Sequence, residues 1–184
     1  MLVSEVGEFG LIAMLAEVLA PDTPSVPTDI PGRGFRLLRS IGDDAAAWQA
    51  PEGVRVLTTD TMVEGVHFES STTAWQDLGW KSMASNLSDI AAMGGSPLYA
   101  LVTLGLQPET DVEDVHALYR GMLSACQEYQ CQIVGGDMVQ SPVTFITIAM
   151  TGVAGERVLT RQEAEPGDII AVTGPLGCAA GGLQ

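Results

Sequence analysis

The stretch that most constrains this chain is residues 143–153, Val-Thr-Phe-Ile-Thr-Ile-Ala-Met-Thr-Gly-Val. Its β-branched side chains favour a pleated backbone. Apolar groups occupy both odd and even positions, so the strand reads as covered on both faces rather than lying at an exposed edge. The fold must therefore build layers on a sheet.

The flanking sequence supplies them. Gly7 to Ala20 places Phe9, Ile12, Ala13, Ala16 and Leu19 at helical spacing. Pro21, Pro24, Pro27, Pro31 and Gly32 close that helix in a loop. Phe35–Arg39 reads as a strand, broken by Gly42-Asp43-Asp44 and resumed at Ala45–Trp48. Val54–Thr58 is a short strand feeding Thr59-Asp60, and the polar run to Thr72 reads as a loop. Thr73 and Gln76 have capping-box spacing and open a helix to about Met93, with Trp80, Ala84, Leu87 and Ala91 as its apolar stripe. A buried strand, Tyr99–Leu106, precedes a helix over Asp111–Gln130 and a short strand, Cys131–Val134. A last strand, Ile169–Thr173, leads into a helix of small residues. The expected class is α/β (α+β), a mixed sheet with flanking helices.

Charge narrows the function. Among 184 residues, 23 Asp and Glu face 8 Lys and Arg, a net charge of −15. A nucleic-acid groove needs clustered cations to displace counterions, and an anionic membrane surface likewise attracts cations. Neither partner is expected. No run approaches the roughly 18 apolar residues of a membrane span. The first ten residues hold Glu5 and Glu8 without a basic residue, unlike a secretory leader. The expected location is cytoplasmic. Cys126, Cys131 and Cys178 lack metal-binding spacing and read as buried reduced thiols.

What remains is a set of aspartates at the ends of elements: Asp43, Asp44, Asp60, Asp89 and Asp137. Hard cations such as Mg2+ take oxygen ligands, commonly one or two carboxylates with water and substrate phosphates. Converging carboxylates without a cation repel one another. Each Asp, taken singly, also fits ordinary turn chemistry. Asn86 and Asp89, three apart on a helix, can share a face. Gly135-Gly136 before Asp137 could let backbone approach a phosphate, though no Walker loop, G-x-S-x-G elbow or H-E-x-x-H occurs. His67 is a loop histidine that by itself reads as a surface residue more readily than as a catalyst, and His116 reads as solvated on a helix. Lys81 and Arg161 stand out in a cation-poor chain. Lys81 also fits a solvated helix face, and the planar fork of Arg161 suits phosphate.

Together, Ile41-Gly-Asp-Asp-Ala45, the segment from Thr58 to Phe68 (Thr-Thr-Asp-Thr-Met-Val-Glu-Gly-Val-His-Phe), Asn86-Leu-Ser-Asp89, Gly135-Gly-Asp137 and Leu159-Thr-Arg161 resemble the thiamine-monophosphate kinase family. The resemblance runs from Gly7 to Gly174. It implies the N-terminal domain of the aminoimidazole ribonucleotide synthetase-like fold over residues 1–155, an exit segment and the start of a second domain over 156–184, and pairing of two copies into a dimeric β-barrel. It implies transfer of phosphate from ATP to thiamine monophosphate, giving thiamine diphosphate by in-line displacement with several Mg2+ ions, with impaired activity expected of these 184 residues alone. Carried over residue by residue, Asp44, Thr58, Thr59, Asp60, Asp89 and Asp137 stand as metal ligands, Tyr119, Gly136, Asp137 and Arg161 as ATP contacts, and His67 as a substrate contact. Met138 departs from the family, which often carries Thr there. The rivals are another ATP-using synthetase of the superfamily and a non-catalytic nucleotide-binding or dimerisation module.

Overall fold

The computed structural model describes residues 1–19, 34–39, 46–50, 52–172 and 174–182. In order, the elements are α1 (Val3–Leu19), β1 (Arg36–Arg39), β2 (Ala47–Gln49), β3 (Arg55–Val63), α2 (Trp75–Ala92), β4 (Gly95–Leu106), α3 (Val112–Tyr129), β5 (Gln132–Gln140), β6 (Phe145–Ala154), a 3₁₀ turn (Arg161–Glu163) and α4 (Cys178–Gly181). The architecture is the expected mixed sheet with flanking helices.

Topology decides where those helices lie. The main sheet has the order β3-β6-β4-β5, with β6 antiparallel to β3 and β4, and β5 parallel to β4. Both crossovers, β3-α2-β4 and β4-α3-β5, step in the same direction across the sheet. Right-handed connections then put α2 and α3 on one face. That face holds Val56 and Met62, Ile146, Ile148 and Met150, Val102 and Leu104, all in one core with Leu78, Met83, Ile90, Leu118 and Met122 of the helices. The helices meet at unusually close range. A Cβ on Gly79 would lie 1.9 Å from the Leu118 carbonyl oxygen, and one on Gly121 would lie 1.8 Å from that of Gln76. Only glycine fits either place.

The second face is largely open. Among the described residues, β3 and β5 pair on one side only, and the sheet does not close into a barrel. Leu57 is 74% exposed and Leu101 45%. One end is covered by the β1–β2 hairpin, where Trp48 packs on Tyr99 at 5.3 Å and the Arg55 guanidinium lies 4.8 Å above Phe35. α1 packs against α3 and β5. Between α1, Trp48 and the open face lies a cavity of about 900 Å3, reaching Leu57, Leu101, Gly135, Asp137 and Thr151.

Several expectations are corrected. Helix α1 buries Leu11, Leu15 and Leu19 against the core, while Phe9 is 83% exposed. Its sequence is apolar almost all round, so spacing left the phase undetermined. The predicted capping box does not form: the N-cap of α2 is Ala74, without a side-chain bond. The buried stripe of α2 contains Leu78, Gly79, Ser82, Met83, Asn86 and Ile90 besides Leu87. Strand β3 runs on to Val63 and β5 to Gln140, so Asp60 and Asp137 lie within strands rather than after them. Residues 169–172 form no strand and pair with none of the described strands, and Ile169 is 93% exposed. Cys178 is exposed, whereas Cys126 and Cys131 are buried. The His116 side chain is mostly buried and sits 3.6 Å from Glu113.

Candidate metal and phosphate site

Alternation along β3 sorts the Thr58-Thr59-Asp60 triplet, because successive strand residues point to opposite faces. Thr58 and Asp60 lie on the helix-covered face, about 7 Å apart along the strand. Thr59 lies on the open face. The Thr58 hydroxyl donates to the Asp89 carboxylate at 2.6 Å, crossing from β3 to the last turns of α2. A hydrogen bond to a carboxylate is short and strong, and it fixes where the Asp89 oxygens sit. Asp89 is exposed and Asp60 half-buried. A strand hydroxyl and two carboxylates thus share the mouth between β3 and α2.

Asp137 lies elsewhere. Strand pairing aligns Thr61, Thr147, Thr103 and Asp137 in one row across the open face. Thr61 and Thr147 share a hydrogen bond of 2.9 Å. Three strand spacings separate Asp137 from β3, roughly 14 Å, and it faces the opposite way from Asp60. Its Oδ1 accepts the Met138 N–H at 2.9 Å. No three His, Cys, Asp or Glu side chains gather closely enough to hold a metal ion among the described residues. Asp43 and Asp44 fall outside those residues.

The remaining candidates scatter around this frame. Gly136 packs edge to edge with β4: a Cβ there would lie 1.8 Å from the Val102 carbonyl oxygen, so strand packing already demands glycine. Tyr119 of α3 is buried, and burial pushes its hydroxyl well above the usual tyrosine range. It reaches the cavity wall rather than solvent. Arg161 is exposed in the 3₁₀ turn. The chain reaches that turn past the end of α2, where Leu159 N–H donates to the Met93 carbonyl at 3.2 Å. Arg157 pairs with Glu163 at 2.7 Å and holds its carboxyl below the ordinary range. His67 lies in the loop after β3, and its carbonyl accepts from Lys81 Nζ at 2.7 Å. Asn86, expected to share a face with Asp89, is instead fully buried and donates to the Ser82 carbonyl at 3.2 Å. Lys81 is the residue whose part the sequence left open; only the fold brings α2 against the loop.

Residues 42–154, well over half the chain, match the family described as AIR synthase related protein, N-terminal domain. The chain belongs to this family. Within the AIR synthase related group, it is similar to a thiamine-monophosphate kinase of Bacillus subtilis, with 39% identity over 78% of this chain and 45% of that one. It is similar also to a thiamine-monophosphate kinase of Aquifex aeolicus, with 35% identity over 100% of this chain and 54% of the relative. A solved structure, AaThiL complexed with AMPPCP and TMP, superposes with a TM-score of 0.57 and 30% identity, covering 90% of this chain and 47% of that one. The chain spans about half the length of the curated relatives it matches. Among the described residues, no helix is long and apolar enough to cross a membrane.

Proposed function

We propose that this chain forms part of a thiamine-monophosphate kinase, transferring the terminal phosphate of ATP to thiamine monophosphate. The observation that carries the reading is the Thr58–Asp89 bond beside Asp60, set in a chain whose curated relatives are thiamine-monophosphate kinases. A hydroxyl with two carboxylates is a hard-oxygen donor set of the kind Mg2+ takes alongside substrate phosphates. The donors therefore fit one such ion, and Asp44, Thr59 and Asp137 are proposed as ligands of further Mg2+ ions in the assembled enzyme. When bound, Mg2+ supplies the positive charge that lets two phosphorylated molecules meet in a chain of net charge −15.

The work of the chain itself is positioning. Phosphoryl transfer of this kind needs alignment and charge compensation rather than a covalent nucleophile. Thr58 orients Asp89, and strand β3 holds Asp60 in register with it. Arg161, delivered to the end of α2, offers a planar cation for a phosphate, and Tyr119, Gly136 and Asp137 belong to the nucleotide side. His67 contacts the acceptor. Residues 1–155 act as the nucleotide-binding and dimerising domain, with 156–184 leading into a second. The open face pairs with a second copy to give a homodimeric barrel, because exposed edges and apolar strand residues favour coverage. The enzyme works in the cytoplasm.

The test is chromatographic detection of thiamine diphosphate after incubation with thiamine monophosphate, ATP and Mg2+. Expected is Mg2+-dependent product, reduced at least about 100-fold by Asp60→Asn. Absence of product from this chain and from a version extended past Gln184 would refute the reading. The rival reading is a nucleotide-binding or dimerisation module. Mg2+–nucleotide binding without turnover in the extended protein identifies that rival.

A further inference from the structure

We infer that Lys81 is a positioning residue, locking the loop from Val63 to Phe68 so that His67 presents its Nε2–H as a hydrogen-bond donor to an anionic oxygen of the substrate. The inference rests on the reading of His67 as a substrate contact. It concerns which atom makes that contact and what holds it there.

The loop is tied down from the backbone outward. Glu64 N–H donates to the Thr144 carbonyl at 2.9 Å, fixing the loop to the segment that enters β6. Val66 and His67 N–H both donate to the Val63 carbonyl, at 3.1 and 2.9 Å. Gly65 supplies the left-handed step at φ 79°, and its N–H donates to the Phe68 carbonyl. Phe68 is buried in the core, and the Ser70 hydroxyl bonds the Glu64 carboxylate. Such a loop has few ways to rearrange.

His67 is then gripped at both ends. Its ring folds back so that Nδ1 accepts the Val63 N–H at 3.1 Å. A ring nitrogen that accepts carries no proton, so the single proton of neutral imidazole sits on Nε2. Its carbonyl accepts from Lys81 Nζ at 2.7 Å, a charge-assisted bond from the first half of α2. Nε2–H has no acceptor among the described residues, and the side chain is exposed. A donor held open toward solvent, beside an ammonium with two further hydrogens, suits a phosphate oxygen in a chain otherwise dominated by carboxylates.

The tautomer is read directly by long-range proton–nitrogen correlation on 15N-labelled protein, at a pH where imidazole is neutral. The chain has two histidines, so His116→Gln assigns the spectrum. Expected is a protonated nitrogen coupled strongly to both carbon-bound ring hydrogens, which is Nε2. A proton on Nδ1, or rapid averaging of the two forms, overturns the inference. Lys81→Met should release the ring into averaging and speed exchange of the Val66 and His67 amides about tenfold, as expected when one such bond is lost. Lys81→Arg should retain the locked signals. Unchanged His67 signals in Lys81→Met overturn the positioning role. Thiamine monophosphate, added with Mg2+ and a non-hydrolysable ATP analogue, should shift the Nε2 signal, with affinity about tenfold weaker in Lys81→Met. A locked Nε2–H that saturating thiamine monophosphate leaves unmoved overturns the donor role alone, since the kinase reading is judged separately by product formation.

Discussion

The two faces of the main sheet are made by the same four strands and have opposite characters. On one, Ile146, Ile148 and Met150 are fully buried beneath α2 and α3. On the other, their neighbours Thr147, Ala149 and Thr151 remain half-covered, and Leu57 and Leu101 reach solvent. The difference follows from topology, because both crossovers step the same way and put neither α2 nor α3 on the second face. The apolar residues on both sides of β6 lead to the expectation of two coverings, and that expectation is met on one face only. This chain supplies one in full, while α1 and the β1–β2 hairpin cover only part of the other.

The covered face should be the one that fails when packing is disturbed. Gly121→Val would drive its side chain into the Gln76 carbonyl, where even a Cβ comes within 1.8 Å. Separating α2 from α3 then costs at least about 3 kcal/mol, comparable to much of a domain's stability. The expected outcome is loss of the cooperative thermal transition. Ile148→Ala, beneath the same helices, removes buried methylenes for about 3 kcal/mol. Chemical denaturation should show its midpoint falling at unchanged slope. A shift below about 0.5 kcal/mol would mean that this face is not the core.

The open face should behave in the opposite way. Leu101→Asp places a charge on a residue already 45% exposed, so the folded protomer should lose less than about 1 kcal/mol. Two such faces cannot pair without desolvating the new carboxylates, which is costly for unpaired charge. Light scattering at micromolar concentration should find twice 19.3 kDa for the unsubstituted chain and one such mass for the variant. A unsubstituted chain of single mass would break the proposed pairing.

How far the sequence reveals these faces depends on the residues. Strand β6 is legible because every position argues for a pleat. Strand β3 is cut short by reading, since Thr59-Asp60-Thr61 is polar, and polarity there suggests a loop. In the fold, each of these residues pairs with β6, and β-branched threonines sit comfortably in a ladder. Asp137 repeats the lesson: two glycines before it suggest a turn, yet they allow close approach to β4. The motif residues of the candidate site are visible in sequence, but their faces are not. Thr58 and Asp60 fall on one side and Thr59 and Asp137 on the other only once β3 and β5 are extended through them. The bond between Thr58 and Asp89 spans 31 positions and could come only from packing α2 on β3.

The smallest effects compare two threonines of that one strand. Thr58 bonds a carboxylate on the helix-covered side, at 2.6 Å. Thr61 shares a neutral bond with Thr147 on the open side, at 2.9 Å. Valine at either position keeps the β-branched shape and removes only the hydroxyl, so the backbone preference is constant across the pair. Hydrogen bonds to charged groups are worth about 1.5–3 kcal/mol where sheltered, and less at an exposed carboxylate such as Asp89. Thr58→Val should therefore cost about 1 kcal/mol and free Asp89 to move, lowering Mg2+ affinity as read by titration calorimetry. Cross-strand threonine pairs contribute about 0.2–1 kcal/mol, and valine replaces part of that by its own cross-strand contact. Thr61→Val should thus change stability by about 0.3 kcal/mol or less and leave Mg2+ affinity unaltered. Equal losses of metal affinity in the two variants would mean that the sheet gathers its ligands from both faces at once. A loss confined to Thr58→Val assigns the Asp60 and Asp89 side of the sheet to the cation.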